Sequence, residues 1–224
     1  MIALALALVL AGCGGGPVIA PGGAPAAAGV AEPEETSAEP VEGVTQAEFA
    51  APASAHADVE HVHYFDDGSS AVVPPRAVPA APQVHPRAQV MDDVGTVAAL
   101  AHFYEARHYA FVTGDTAPLE AVSADGCSSC AEVVTTAPSL VAQGYDVRGG
   151  TATLYDAVAG QDPSVPDDPA AKVVEATLVV EPQFLFQGAA MVLADPAEVH
   201  AMRAALRFDG QRWRVAGVRS ERVG

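Results

Sequence analysis

The sequence predicts an α+β domain, helices first and a run of antiparallel strands after them. Three observations predict it. Apolar residues recur at three- and four-residue spacing between about residues 92 and 142. The pattern changes to alternation after Gly149-Gly150, and Asp209-Gly210 then joins the last two strand candidates as a hairpin turn. The composition agrees: ten of the 13 aromatic residues lie after residue 90, whereas eleven of the 18 prolines lie before residue 91. The folded part is therefore placed at 91–224, 134 residues, an ordinary size for one domain.

Taken in order, the chain opens on an apolar run, Ile2–Val9, followed by Leu10-Ala11-Gly12-Cys13. A membrane span needs ~20 apolar residues, so this short run reads as a secretion signal over residues 1–12. Leu10–Cys13 reads as a lipobox, with Cys13 the lipidated residue. No charged residue precedes Cys13, where a signal peptide carries Lys or Arg, so a start upstream of Met1 is expected. Residues 13–90 read as a lipidated tether. They are rich in Pro, Ala and Glu and poor in large apolar side chains, too poor to offset the entropy of folding. As a coil the tether would reach roughly 50 Å.

One island interrupts it. Val59–Phe65, the turn Asp66-Asp67-Gly68-Ser69 and Ala71–Val73 carry a hairpin signal, and a hairpin alone is marginal in water. His56, His61 and His63 raise a metal site as a thought, but no further ligand type is near them and solvated histidines are the expectation. No cofactor is expected.

Asp92 or Asp93 caps a first helix running to about Thr113, with Val97, Ala101, Tyr104, His108 and Phe111 as its apolar stripe. Gly114 ends it, and Asp115 caps a short second helix containing Pro118 and Leu119. A third helix covers about Ser128–Ala142. Strands are expected at Thr151–Ala157, Lys172–Val180, Phe184–Leu193, His200–Phe208 and Trp213–Arg219.

Helices followed by these strands resemble the cone of the ketosteroid-isomerase and nuclear-transport-factor-2 superfamily, a cystatin-like curved sheet wrapped on a long first helix. Within it, Phe103-Tyr104, Ala110, Thr113-Gly114-Asp115, Leu119 and Cys127-Ser128-Ser129-Cys130 resemble a family of actinobacterial lipoproteins of unknown function. That resemblance covers about residues 92–150 well and implies fold and location, with no activity to carry over.

Cys127 and Cys130 are the sharpest chemical feature after the lipobox. In an exported chain they are expected to bridge, since i,i+3 spacing in a first helical turn brings Cα atoms within range. A thioredoxin-like redox site is the alternative, and it lacks the preceding strand of a βαβ unit. Zinc lacks a second ligand pair. Tyr104, His108, Tyr155 and Trp213 are the candidate pocket lining. His108, beside Glu105 or Asp115, is the candidate base if the domain is an enzyme, although a hydrogen-bonded His at the core edge is the commoner role.

The net charge of −17 argues against nucleic acid, which needs a basic surface. The expectation is a lipoprotein on the extracytoplasmic face of the cell membrane, held there through lipid on Cys13. It would be a non-enzymatic module that binds an envelope protein or a small apolar ligand. The rival is a small-molecule isomerase or dehydratase of the cone superfamily.

Overall fold

A computed structural model describes residues 61–223. The signal, the lipobox, Cys13 and His56 lie outside the described residues.

The chain first forms a hairpin, β1 (His61–Tyr64) and β2 (Ser70–Val73), in register from His61 opposite Val73 to Tyr64 opposite Ser70. Its turn is set by Gly68, whose φ of 85° is costly for a residue with a Cβ, and by Asp67, which accepts from Ser69 N at 2.8 Å. The hairpin docks through Phe65 and Val73, which pack on Phe184. Arg76 then pairs with Asp146 at 3.3 Å, and a 3₁₀ helix at Pro86–Gln89 buries Ala88. Packed structure thus begins well upstream of Met91, within the stretch expected to be tether.

Helix α1 (Asp93–Thr113) starts where Asp92 Oδ1 accepts the Gly95 amide at 2.6 Å. It ends at Gly114, φ 78°, whose amide donates to Ala110 O. The expected single stripe is too narrow a description. Gly95 through Tyr104 is buried without interruption, because α1 is surrounded rather than laid on a surface. Small residues make that possible. A Cβ on Gly95 would stand 2.0 Å from the Val90 carbonyl oxygen, so the 3₁₀ segment approaches α1 at glycine distance.

Helix α2 (Ala117–Val122) buries Leu119 and Val122, with Asp115 Oδ1 accepting the Ala117 amide at 3.0 Å. Helix α3 (Ser128–Ala142) buries Cys130, Val133, Ala137 and Leu140, an i, i+3, i+7, i+10 stripe that packs against α1. Cys127 is its N-cap and is bonded to Cys130, with Cα atoms 5.3 Å apart. Both cysteines are buried, so the bridge pins the start of α3 beneath neighbouring chain. Replacing both by alanine is expected to lower stability by ~2 kcal/mol, the chain-entropy value for so short a loop, without changing ligand affinity. Denaturant unfolding of the variant beside the parent reads this directly.

The remaining strands are β3 (Tyr145–Gly149), β4 (Ala152–Gln161), β5 (Ala171–Val180), β6 (Gln183–Gln187), β7 (Ala190–Asp195), β8 (Glu198–Phe208) and β9 (Trp213–Arg222). Their pairing overturns the expected cone. Instead of one curved sheet wrapping the first helix, the described strands form three antiparallel sheets: β1-β2, β3-β6-β7 and β4-β5-β8-β9. Among the described residues strand outweighs helix, and every paired strand runs antiparallel to its neighbour.

The reason is local. The segment expected as one strand, Phe184–Leu193, turns back on itself at Gly188, φ 62°, and becomes the β6–β7 hairpin. That hairpin leaves the main sheet between β5 and β8 and takes β3 as its partner. Gly149 and Gly150, at φ 68° and 75°, break β3 from β4 and so separate the two sheets.

The four-stranded sheet lays its inner residues, among them Leu154, Val174, Leu178, Ala204, Leu206 and Val215, in the core beneath α1. Its last hairpin turns at Asp209-Gly210 as expected. The Arg214 guanidinium, with turn amides from Gln211 and Arg212, holds the Asp209 carboxyl down at about 2. Among the described residues no helix is long and apolar enough to cross a membrane.

Candidate ligand cleft

The residues singled out from sequence do not converge. Tyr104 is buried, its hydroxyl 3.8 Å from Met202 Sδ, and burial pushes its pKa up to about 12. Trp213 is also buried. Its ring meets Phe208 edge-on at 5.4 Å, and its Nε1 donates to Val90 O at 2.8 Å. Tyr155 points to solvent from β4, 47% exposed. These three do not share a pocket: two are core and one is surface.

His108 is half-buried on α1. Burial pushes its pKa down, and the neighbouring Arg107 cation adds to that. Neither carboxylate expected beside it reaches it. Glu105 faces His102 instead, 3.5 Å from its Nδ1, and Asp115 is spent on the start of α2. The base-with-carboxylate arrangement is therefore not built at His108. His63 packs edge-on against Phe65 and Phe184, at 4.9 and 5.9 Å, and His61 is exposed. Among the described residues no three His, Cys, Asp or Glu side chains gather as a metal site.

A cleft of about 530 Å³ does form elsewhere. One wall is the β1–β2 turn, Phe65-Asp66-Asp67. The other is the β7–β8 connection, from Ala194 through Val199, joined by Arg222 and Val223 at the end of β9. Its size lies within the range of small-ligand sites, ~300–1,000 Å³. Phe65, Ala194, Pro196 and Val199 give it apolar surface, and its charges are Asp66, Asp67, Glu198 and Arg222.

Those charges are not equivalent. Glu198 is fully engaged: Oε1 accepts from Arg222, and Oε2 lies 2.9 Å from His200 Nε2. Arg222 is thereby taken up as well. His200 is buried, and its other ring nitrogen, Nδ1, has no hydrogen-bond partner among the described residues. At the end of β7, burial and then the nearby Glu198 carboxylate push Asp195 up. Asp67 spends Oδ1 on Ser69, whose hydroxyl and amide hold its carboxyl below the usual range. Asp66 has no hydrogen bond or ion pair among the described residues, and its side chain is exposed. The cleft thus offers apolar surface under carboxylates that retain free lone pairs.

Sequence reading missed this site because it joins distant segments. The Asp66-Asp67 pair was visible as a turn. Nothing in a pattern places that turn beside residues 194–199 and 222–223. The one available signal was Phe65, a large apolar residue in a hairpin too small to bury it alone.

No curated protein matches the chain. Among solved structures, the intermembrane space region of the chloroplast protein ARC6 is similar at 14% identity with a TM-score of 0.46, over 60% of this chain and 99% of that one. That likeness is too loose to carry an argument about fold or function. A family model described as a family of unknown function (DUF6318) matches residues 69–219, the span from the β1–β2 turn to within β9. The chain belongs to that family.

Proposed function

We infer that this protein is a lipid-anchored, extracytoplasmic binding module, with the cleft between the β1–β2 turn and the ends of β8 and β9 as its ligand site. The observation that carries the reading is the Cys127–Cys130 bridge. Stable disulfides belong to oxidising compartments, so the bridge supports the reading of an exported chain. The bridge also uses two of the three cysteines and leaves Cys13, at the end of an apolar run and a Leu-Ala-Gly sequence, as the single remaining thiol. That is the position a lipoprotein modifies. Two or three acyl chains on one residue anchor stably where a single chain is marginal.

The binding role rests on the cleft. It combines apolar walls with Asp66, which has no partner inside the fold, and Asp67, which commits only one oxygen to Ser69, and apolar walls with a few polar groups are the usual make-up of a small-ligand site. No charge pattern on the chain suits nucleic acid.

Location is tested by Cys13→Ser in the exporting host. The expected result is release of the protein into the medium or the soluble envelope fraction, with the folded domain unchanged. Retention of the variant in the membrane fraction overturns the anchor.

A further inference from the structure

The free charge in the cleft is negative. Glu198 and Arg222 neutralise one another, which leaves Asp66 and Asp67 facing the opening. Beside it stand Val199, 40% exposed, and Val223, 57% exposed, linked by the bond from Val223 N to Val199 O. Both valines belong to the cleft wall, and side chains this open carry its apolar surface out to the solvent-facing edge. The chain's own upstream segment is the wrong occupant, since residues 1–60 contain eight Asp and Glu and no Lys or Arg. A second copy, itself carrying −17, is repelled as well.

We propose that the cleft is a docking site for a basic, partly apolar peptide segment of another protein, whose Lys or Arg pairs with Asp66 and Asp67 while flanking apolar side chains cover Val199 and Val223. This assignment rests on the reading of the cleft as the ligand site. Its chemistry is simple. An ammonium or guanidinium gains Asp66, which has no cation of its own, and Asp67, whose carboxyl is bonded to Ser69 and only distantly influenced by Arg222. The apolar neighbours of that side chain bury surface at the valines. Electrostatic complementarity of this kind sets which partner binds more than how tightly it binds.

The test uses the full chain carrying Cys13→Ser, titrated by NMR with three capped peptides, Ac-Leu-Lys-Leu-NH2, Ac-Leu-Nle-Leu-NH2 and Ac-Leu-Glu-Leu-NH2, and with n-butylammonium chloride. The expected result is movement of the Asp66, Val199 and Val223 amide signals by the lysine peptide, with affinity about tenfold above the norleucine peptide at low salt. That preference should shrink at about 0.5 M salt, where exposed charges are screened. The glutamate peptide should bind least. Asp66→Asn, which disturbs no contact inside the fold, should weaken the lysine peptide about threefold and leave the norleucine peptide unchanged.

Equal binding of the lysine and norleucine peptides overturns the cationic assignment and leaves the cleft as an apolar site. Binding of n-butylammonium as tight as that of the lysine peptide overturns the peptide occupant in favour of a small amine. Absence of shifts at these residues with every probe overturns the assignment and the cleft reading together.

Discussion

Trp213→Ala is expected to destabilise the domain by ~4 kcal/mol, the cost of truncating a large, fully buried aromatic side chain. In a domain of this size that is a fall in Tm of roughly 12 °C. The indole is 1% exposed and lies at the start of β9, where its ring packs edge-on against Phe208. It also donates to Val90 O, 123 residues earlier in the chain. Truncation therefore opens a cavity under the last hairpin and frees the segment that leads into α1. Trp213→Phe separates the two effects. It keeps most of the apolar surface and loses the N–H, so ~1–2 kcal/mol is expected. Thermal and denaturant unfolding of both variants reads the difference. A loss below ~1 kcal/mol for Trp213→Ala would mean the ring is not the anchor that its burial describes.

Gly149→Ala is the second large effect, expected at ~3 kcal/mol or more. Two costs add. The residue sits at φ 68°, which an L side chain rarely adopts, and an added Cβ would meet the Pro182 carbonyl oxygen at 2.1 Å. That oxygen is backbone and already accepts the Gly150 amide at 3.0 Å, so it cannot simply step aside. Gly188→Ala is the control. Its φ is 62°, but nothing lies within 4 Å of the added methyl, so it should cost only the conformational part, ~1 kcal/mol. If the two variants unfold at the same denaturant concentration, the close approach at Gly149 is wrong.

The contrast between these glycines explains what was legible in the sequence. Gly114 and Gly210 punctuate elements that are continuous in the chain, a helix end and a hairpin, and both were readable from their neighbours. So were the Asp92 cap, the limits of α3 and the β1–β2 hairpin. Gly188 sits inside a run of apolar residues, Phe184 to Leu193, that satisfies a strand pattern on either side of it. Only the partner strand decides that it is a turn, and that partner, β3, is short and carries Asp146 and Arg148. A strand with so little apolar signal stayed invisible until its pairing was seen.

The same limit applies to α1. A stripe was expected because the sequence cannot say how many elements will cover one helix, and here the 3₁₀ segment, α2, α3 and three strands of the main sheet all do. The cleft was illegible for the same reason, since its walls are set by tertiary pairing alone.

Phe65, Val73 and Phe184 form a small apolar cluster with Ala71, Phe186, Met191 and Ala194 around it. It holds the first hairpin to the β6–β7 hairpin, and these are excursions from the main sheet. Small clusters under peripheral hairpins open at lower free energy than the core they adjoin, as a cooperative unit. One wall of the cleft, Phe65 to Asp67, belongs to that unit. The other, Glu198, Val199 and Arg222, belongs to the ends of β8 and β9 in the main sheet. An occupant touching both walls would therefore act as a brace. Its binding energy is added to the cost of local opening, so amide exchange should slow in β1, β2, β6 and β7 while α1 and β5 keep the rates they had.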